Sequence, residues 1–189
     1  MRELSLNVLD IAQNSITAGA SLVEIELNIF ELEDRFEIVI RDNGKGIEEE
    51  FLNKITDPFV TTRTTRKVGM GLPLFKYSAE QSGGRFEITS KVGIGTVVKG
   101  VYIISSIDRM PLGNIEDTLI TLIISSNKVD ILFSVKSDRG NGYLDTREIK
   151  KVLDGVPIDS IEVIEFIKNY IKENLSYLYG GLEWRVWLN

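Results

Sequence analysis

Residues 36–47 read FEIVIRDNGKGI, and this stretch decides the fold. Phe36, Ile38 and Ile40 recur with the period of two expected of a half-buried strand. The same period sets Asp42 on their face. A carboxylate that closes a core-facing row needs a partner, because an unpaired buried carboxylate is costly. Asn43, Gly44, Lys45, Gly46 and Ile47 follow, and the two glycines let the chain turn sharply and let another group approach closely.

Working outward, residues 23–30 (VEIELNIF) alternate in the same way and form a second strand. Residues 5–18 form a helix with Val8, Ile11, Ala12 and Ser15 on one side, closed by Ala18, Gly19 and Ala20. On the other side of the decisive stretch, the acidic run Glu48, Glu49, Glu50 suits the first turn of a short helix through Ile55. Residues 56–71 lack periodicity, carry Thr, Arg and Lys, and read as a mobile loop. Gly71 leads into a helix that ends at Ser82, Gly83 and Gly84. Strands RFEITS (85–90) and GTVVKGVYII (95–104) are joined by the KVGIG turn.

The pattern breaks around Arg109, Met110, Pro111, Leu112 and Gly113, which sets a boundary between residues 1–108 and a small α/β region over 112–189. Within the latter, residues 115–125 fit helix or strand, 129–135 a strand, and 145–153 a short helix. Residues 159–175 fit an amphipathic helix capped by Asp159, with Glu162 three residues later and Ile161, Ile164, Ile167, Ile171 and Leu175 inward. Ser137 to Glu148 places several oxygen-bearing side chains at calcium-loop spacing, but Arg139 cannot be a ligand, so a hairpin turn is expected. Trp184 and Trp187 are expected to pack on the domain.

The 189 residues contain 43% hydrophobic and 26% charged side chains, ordinary values for a globular protein. No cysteine and no histidine is present, so thiolate and imidazole chemistry are excluded from this chain. The net charge of -6 argues against a nucleic-acid or anionic-membrane surface. No apolar run is long enough to cross a membrane, and MRELSLNVLD is wrong for a leader peptide. A cytoplasmic protein is expected.

Four separated segments carry groups suited to a nucleotide. Asp10 and Asn14 lie one helical turn apart, about 6 Å, on one face. An amide oxygen such as that of Asn14 suits Mg2+, which also takes waters and phosphate oxygens. A carboxylate one turn away can orient an attacking water or hydroxyl. Asp42 can accept a hydrogen bond from an exocyclic amine. Glycines at the start of the helix after residue 70 can present N–H groups to phosphates. Gly95 and Thr96 open the last strand.

Taken in order, these segments resemble the GHKL ATPase superfamily, which unites DNA gyrase B subunits, heat-shock chaperones, histidine-kinase catalytic domains and MutL mismatch-repair proteins. NVLDIAQNSITAGA (7–20) resembles its N box, and Asp42-Asn43-Gly44-Lys45-Gly46-Ile47 its G1 box. Asp57-Pro58-Phe59-Val60-Thr61-Thr62-Arg63 resembles its F box and lid, and Gly69-Met70-Gly71-Leu72-Pro73-Leu74 its G2 box. GGRFEITSKVGIGT (83–96) resembles the closing strand pair. The wording is nearest to histidine-kinase catalytic domains, and the resemblance covers about residues 3–104.

The resemblance implies an α/β two-layer sandwich of the Bergerat ATP-binding type, a mixed and mostly antiparallel sheet with helices on one face, here with a small C-terminal α/β appendage. It implies ATP and Mg2+ as cofactors. Asp42 would accept the adenine amine with help from Thr96 through water. Gly44, Gly46 and Ile47 would let the ring pack closely, with Ala18 near the base. Asn14 would bind Mg2+. Thr61, Thr62, Arg63, Arg66 and Lys67 would lie in the lid, and Gly69, Met70, Gly71 and Leu72 would give N–H groups to the phosphates.

Hydrolytic members of the superfamily carry Glu at the position of Asp10, and histidine kinases usually carry Asn. Aspartate keeps the charge with roughly one methylene less reach. Without a histidine, phosphotransfer would go to a separate protein. Two functions follow as expectations: a kinase or slow ATPase using Asp10, acting on a separate regulatory or phosphoacceptor protein, or a nucleotide-gated binding module whose residues 112–189 contact such a partner. The oligomeric state stays open, a homodimer included.

Overall fold

The computed structural model describes residues 3–55, 71–126, 128–180 and 182. The expected sites Thr61, Thr62, Arg63, Arg66, Lys67, Gly69 and Met70 lie outside the described residues, as do Trp184 and Trp187.

Helix α1 (Leu4–Thr17) is followed by strands β1 (Leu22–Phe30) and β2 (Arg35–Asp42). Helices α2 (Glu49–Ile55) and α3 (Gly71–Gln81) precede β3 (Arg85–Lys91) and β4 (Gly95–Ile103). The remaining elements are α4 (Ile115–Ser125), β5 (Asp130–Ser137), β6 (Gly140–Asp145), α5 (Thr146–Leu153), α6 (Ile161–Asn174) and α7 (Ser176–Tyr179). The six strands form one sheet in the order β3-β4-β2-β1-β5-β6. Every neighbouring pair is antiparallel except β1 with β5. This is the mixed, mostly antiparallel α/β sandwich of the Bergerat type.

The alternation in the strands determines which face is covered. Val23, Ile25, Leu27 and Ile29 of β1, and Phe36, Ile38 and Ile40 of β2, are buried, as are Ile131, Phe133 and Val135 of β5. These side chains belong to one apolar cluster with α1, α3 and α4. Gly100 in β4 makes room for α3, since a Cβ there would stand 2.8 Å from Phe75 Cζ. Phe75 meets Phe86 and Tyr102 edge to face, a favoured aromatic geometry. The opposite face carries paired charges. Arg41 spans to Glu24 at 3.2 Å and Glu26 at 2.7 Å, and Glu37 is held between Arg35 and Lys99.

Residues 115–125, readable as helix or strand, form α4. Asn114 caps it by accepting from the Asp117 amide at 2.9 Å, and Glu116 and Asp117 occupy the first turn. The sheet and the core run on past residues 109–113, because β5 lies against β1 and fills what would otherwise be a bare strand edge. The first amides of α1 have no side-chain cap. Instead Leu4 N–H donates to Pro111 O at 3.0 Å and Ser5 N–H to Leu112 O at 2.8 Å.

Helix α6 differs from expectation at its start. It begins after Ser160, neither Asp159 nor Ser160 caps it through a side chain, and Ile161 is 74% exposed. The buried row is Val163, Ile167, Ile171 and Leu175, a run of four-residue steps, because Ile158 has already entered the core and the intervening turn resets the phase. Residues 137–140 form the expected hairpin turn between β5 and β6.

Candidate functional site

The site grows from the end of β2. Asp42 continues the row of Ile38 and Ile40 and lies directly opposite Thr96 in the β2–β4 register and Val23 in the β1–β2 register. Its carboxylate has two partners within the fold. Ser15 of α1 donates its hydroxyl to Asp42 Oδ2 at 2.7 Å, and the Gly44 amide donates to Oδ1 at 2.8 Å. A hydroxyl has one proton, and the contact of Ser15 with Ile11 O is longer, at 3.3 Å, so Asp42 is its acceptor. These two hydrogen bonds fix the direction of the carboxylate.

The loop after Asp42 is wedged between α1 and the β3–β4 turn. Asn43 Oδ1 accepts from the amides of Ser21 and Leu22 at 2.9 and 3.0 Å, and its Nδ2 donates to Ser21 Oγ. Lys45 N–H donates to Ala18 O, and Lys45 O accepts from Gly93 N–H at 2.9 Å. Gly46 has φ +71°, and a Cβ there would lie 2.2 Å from Lys91 O. Only glycine fits that place. Ile47 N–H donates to Ser90 Oγ at 2.9 Å, and Ser90 Oγ is also 2.9 Å from Thr96 Oγ1. Ser90 therefore ties the loop to Thr96. Ala18, Asp42, Gly44, Gly46, Ile47 and Thr96 come together at one end of the sheet.

The second half of the site is the seam between α1 and α3. Asp10 and Asn14 lie on the flank of α1 that meets α3. A Cβ on Gly71, the first residue of α3, would stand 2.2 Å from Asp10 Oδ2, so the carboxylate rests against the start of an 11-residue helix. Leu72 beside it is buried in the core. Among the described residues neither the Asp10 nor the Asn14 side chain has a hydrogen-bond or ion-pair partner, and no group of three Asp or Glu side chains is arranged to hold a metal. The Asn14 amide oxygen suits a hard cation that takes its other ligands from water and phosphate. That donor set fits Mg2+ brought in with a nucleotide.

Sequence reasoning misses Ser15 and Ser90. Ser15 sits among the apolar positions of α1, where a small polar residue reads as filler. Ser90 follows Phe86 and Ile88 by steps of two, which is the signal that could have placed it inward beside Thr96. A hollow of about 450 Å3 adjoins this end of the sheet. Its lining includes Leu22, Glu24, Arg41, Thr89, Lys91 and Val97 of the face opposite the helices, together with Asp42, Ser90 and Thr96 of the site.

A carboxylate set opposite Thr96, a glycine loop and a helix start are arranged here as one unit. The family model described as "Histidine kinase-, DNA gyrase B-, and HSP90-like ATPase" matches residues 1–104. The chain belongs to this family. It carries a GHKL-type ATP-binding domain related to histidine kinases. One relative, a putative sensor histidine kinase NtrY-like protein of Rickettsia conorii, is 28% identical over 108 residues, which are 57% of this chain and 18% of the relative. Sporulation kinase D of Bacillus subtilis is 32% identical over 91 residues, 48% of this chain and 18% of that kinase. The chain thus spans less than a fifth of the length of these kinases. The crystal structure of the N-terminal domain of a DNA repair protein shares the fold, with TM-score 0.51 and 14% identity over 77% of this chain and 53% of that one. Among the described residues no helix is long and apolar enough to cross a membrane.

Proposed function

We propose that this GHKL domain binds Mg-ATP and transfers its terminal phosphoryl group to a separate protein, or to water slowly, with Asp10 as the base or water-positioning group. The observation that carries this reading is the seat of Asp10 against Gly71, which sets a carboxylate at the mouth of α3 on the same flank as Asn14. Asp42 accepts the adenine amine, and Thr96, held by Ser90, completes the base site. Gly44 and Gly46 keep the loop close enough for the ring to pack on Ile47 and Ala18. Asn14 offers its amide oxygen to Mg2+, which supplies charge neutralisation at the phosphates when bound. Thr61, Thr62, Arg63, Gly69 and Met70, with Gly71 and Leu72, are assigned to the phosphate tail. Asp10 would take the proton of the acceptor hydroxyl, imidazole or water as the acceptor's bond to the terminal phosphorus forms and the bond from that phosphorus to the bridging oxygen breaks, with ADP leaving. The chain has no histidine, so a histidine acceptor lies outside these 189 residues.

Phosphate release from Mg-ATP, measured with and without candidate acceptor proteins, tests this. The expected result is slow turnover that falls at least 100-fold in Asp10→Asn. No turnover under any condition, with Asp10→Asn indistinguishable from the unmodified protein, removes the enzymatic role.

A second reading is a nucleotide-gated binding module in which residues 112–189 meet the partner. The first amides of α1, the helix that carries Asp10 and Asn14, bond to Pro111 and Leu112, so a shift of α1 reaches this region directly. Partner affinity that is equal with ATP, with ADP and without nucleotide rejects it.

A further inference from the structure

Asn7 is 0% exposed, yet neither Oδ1 nor Nδ2 of its side chain has a hydrogen-bond partner among the described residues. Buried amides left in this way are rare and costly, and each calls for a cause. Its position supplies one. Ser5 of α1 faces α4, where its carbonyl accepts from the Thr118 hydroxyl at 3.2 Å. Asp10 marks the opposite flank, against Gly71 of α3. At 100° per residue, Asn7 falls on the Asp10 flank, three residues before Asp10 and two turns before Asn14. The rise from Asn7 to Asp10 is about 4.5 Å, and side chains three apart on a helix are neighbours.

Asp10 needs such a neighbour. It has no hydrogen bond among the described residues, two free torsions and a shorter stem than glutamate. A reactive carboxylate must be held to within about 0.5 Å of its working position. We propose that Asn7 is a positioning residue for Asp10: its otherwise unpartnered amide donates from Nδ2 to the Asp10 carboxylate and fixes the direction of the basic oxygen. The inference rests on the reading of Asp10 given above. The bond is not closed in this structure, in keeping with catalytic hydrogen bonds that shorten only when the reacting groups are bound. Asn7 touches neither nucleotide nor acceptor and acts only through Asp10.

Two measurements on the full chain test it. In 15N-labelled protein, adding Mg2+ and the non-hydrolysable analogue AMP-PNP is expected to slow exchange of the Asn7 side-chain amide at least tenfold, and less than twofold in Asp10→Ala. In steady-state kinetics, Asn7→Leu is expected to lower kcat at least tenfold with KM within twofold, while the urea midpoint stays or rises because an unpartnered amide has been removed. An amide whose exchange ignores nucleotide, or responds equally in Asp10→Ala, overturns the proposal. So does an Asn7→Leu protein with a lowered midpoint and unchanged kcat. If the unmodified protein binds Mg-ATP without turnover, the catalytic reading of Asp10 falls, and amide exchange still decides whether Asn7 holds its carboxylate.

Discussion

The Ser15 hydroxyl donates to Asp42 Oδ2 at 2.7 Å, joining α1 to β2 across 27 residues of chain. With the Gly44 amide on Oδ1, it leaves each carboxylate oxygen one lone pair with which to accept from a ligand. Replacing Asp42 by Asn keeps the shape but removes the charged acceptor and turns an N–H toward one of two donors. ATP affinity measured by calorimetry is expected to fall more than 100-fold. Ser15→Ala frees the carboxylate to rotate without removing it, and a loss of about tenfold is expected, equal to about 1.4 kcal/mol and in the range for a hydrogen bond to a charged group. Full ATP affinity in Asp42→Asn would refute the adenine assignment.

Gly46 and Gly19 both have positive φ, +71° and +82°, but their surroundings differ. A Cβ on Gly19 meets nothing within 4 Å, whereas one on Gly46 would strike Lys91 O at 2.2 Å. Gly19→Ala is therefore expected to cost about 1 kcal/mol, the left-handed penalty alone. Gly46→Ala adds a backbone collision that no side-chain rotation relieves, and is expected to cost more than about 2 kcal/mol. Urea unfolding of the two variants separates the contributions. Equal losses would show that the loop moves away from the β3–β4 turn at little cost.

Gly71→Ala tests the opposite balance. Its Cβ would meet the end of a side chain, Asp10 Oδ2 at 2.2 Å, rather than backbone. Alanine favours the helix by up to about 1 kcal/mol over glycine, so stability is expected to hold. Asp10 must move instead, and a misplacement near 1 Å is worth about 100-fold in rate. The expected outcome is an unchanged urea midpoint with kcat reduced roughly 10- to 100-fold.

Asp145 caps α5 and pairs with Arg147, Oδ2 to Nη2 at 2.7 Å, while its Oδ1 accepts from the Arg147 amide at 2.8 Å. The Arg147 side-chain hydrogen bond, outweighing the opposing effect of burial, holds the Asp145 carboxyl below its ordinary 3.8. The folded form thus prefers the ionised carboxylate. Its contribution is present above the unfolded-state value and is lost as pH falls through the lower folded-state value. The Arg147 side chain is 42% exposed, so solvent screening limits the pair to about 0.5–1 kcal/mol. Arg147→Met is expected to lower stability by that amount at neutral pH. The gap from the unmodified protein closes as pH drops below the ordinary carboxylate range, as urea midpoints across pH will show.

Strand periodicity alone makes the Asp42 end of the sheet legible. Asp42 follows Phe36, Ile38 and Ile40 by steps of two, and glycines follow it at once. Ser15 is hidden because its partner lies far along the chain, and a serine in an apolar helix row carries no mark of what it touches. The place of β5 is hidden for a related reason. Alternation in residues 129–135 shows a strand with one buried face, but it does not say that β5 runs parallel to β1. At the start of α6 one strong local signal misleads, Asp159 with Glu162 three residues on, and the burial of Ile158 overrides it. Local patterns set elements, and pairing across the chain sets the site.

Arg109 shows how far that pairing extends. It is 2% exposed, and burial lowers the pKa of its guanidinium. Nε donates to Ile104 O at 2.9 Å, and Nη1 lies 3.2 Å from Met110 O and 3.4 Å from Leu182 O. Leu182 O also accepts from Leu112 N–H at 2.7 Å. One side chain therefore bonds the end of β4, the link to α4 and the chain after α7, in the segment whose carbonyls cap α1. Arg109→Met keeps most of the stem but leaves these carbonyls short of a donor in a buried place. A loss of about 2–4 kcal/mol is expected, at roughly 1–3 kcal/mol for each group left unsatisfied and with partial relief from water. Lysine offers a single ammonium in place of a planar fork and cannot reach carbonyls on two sides. Arg109→Lys is expected to recover less than half of the loss in urea unfolding. Full recovery would show that charge, rather than the spread of donors, is what the segment requires.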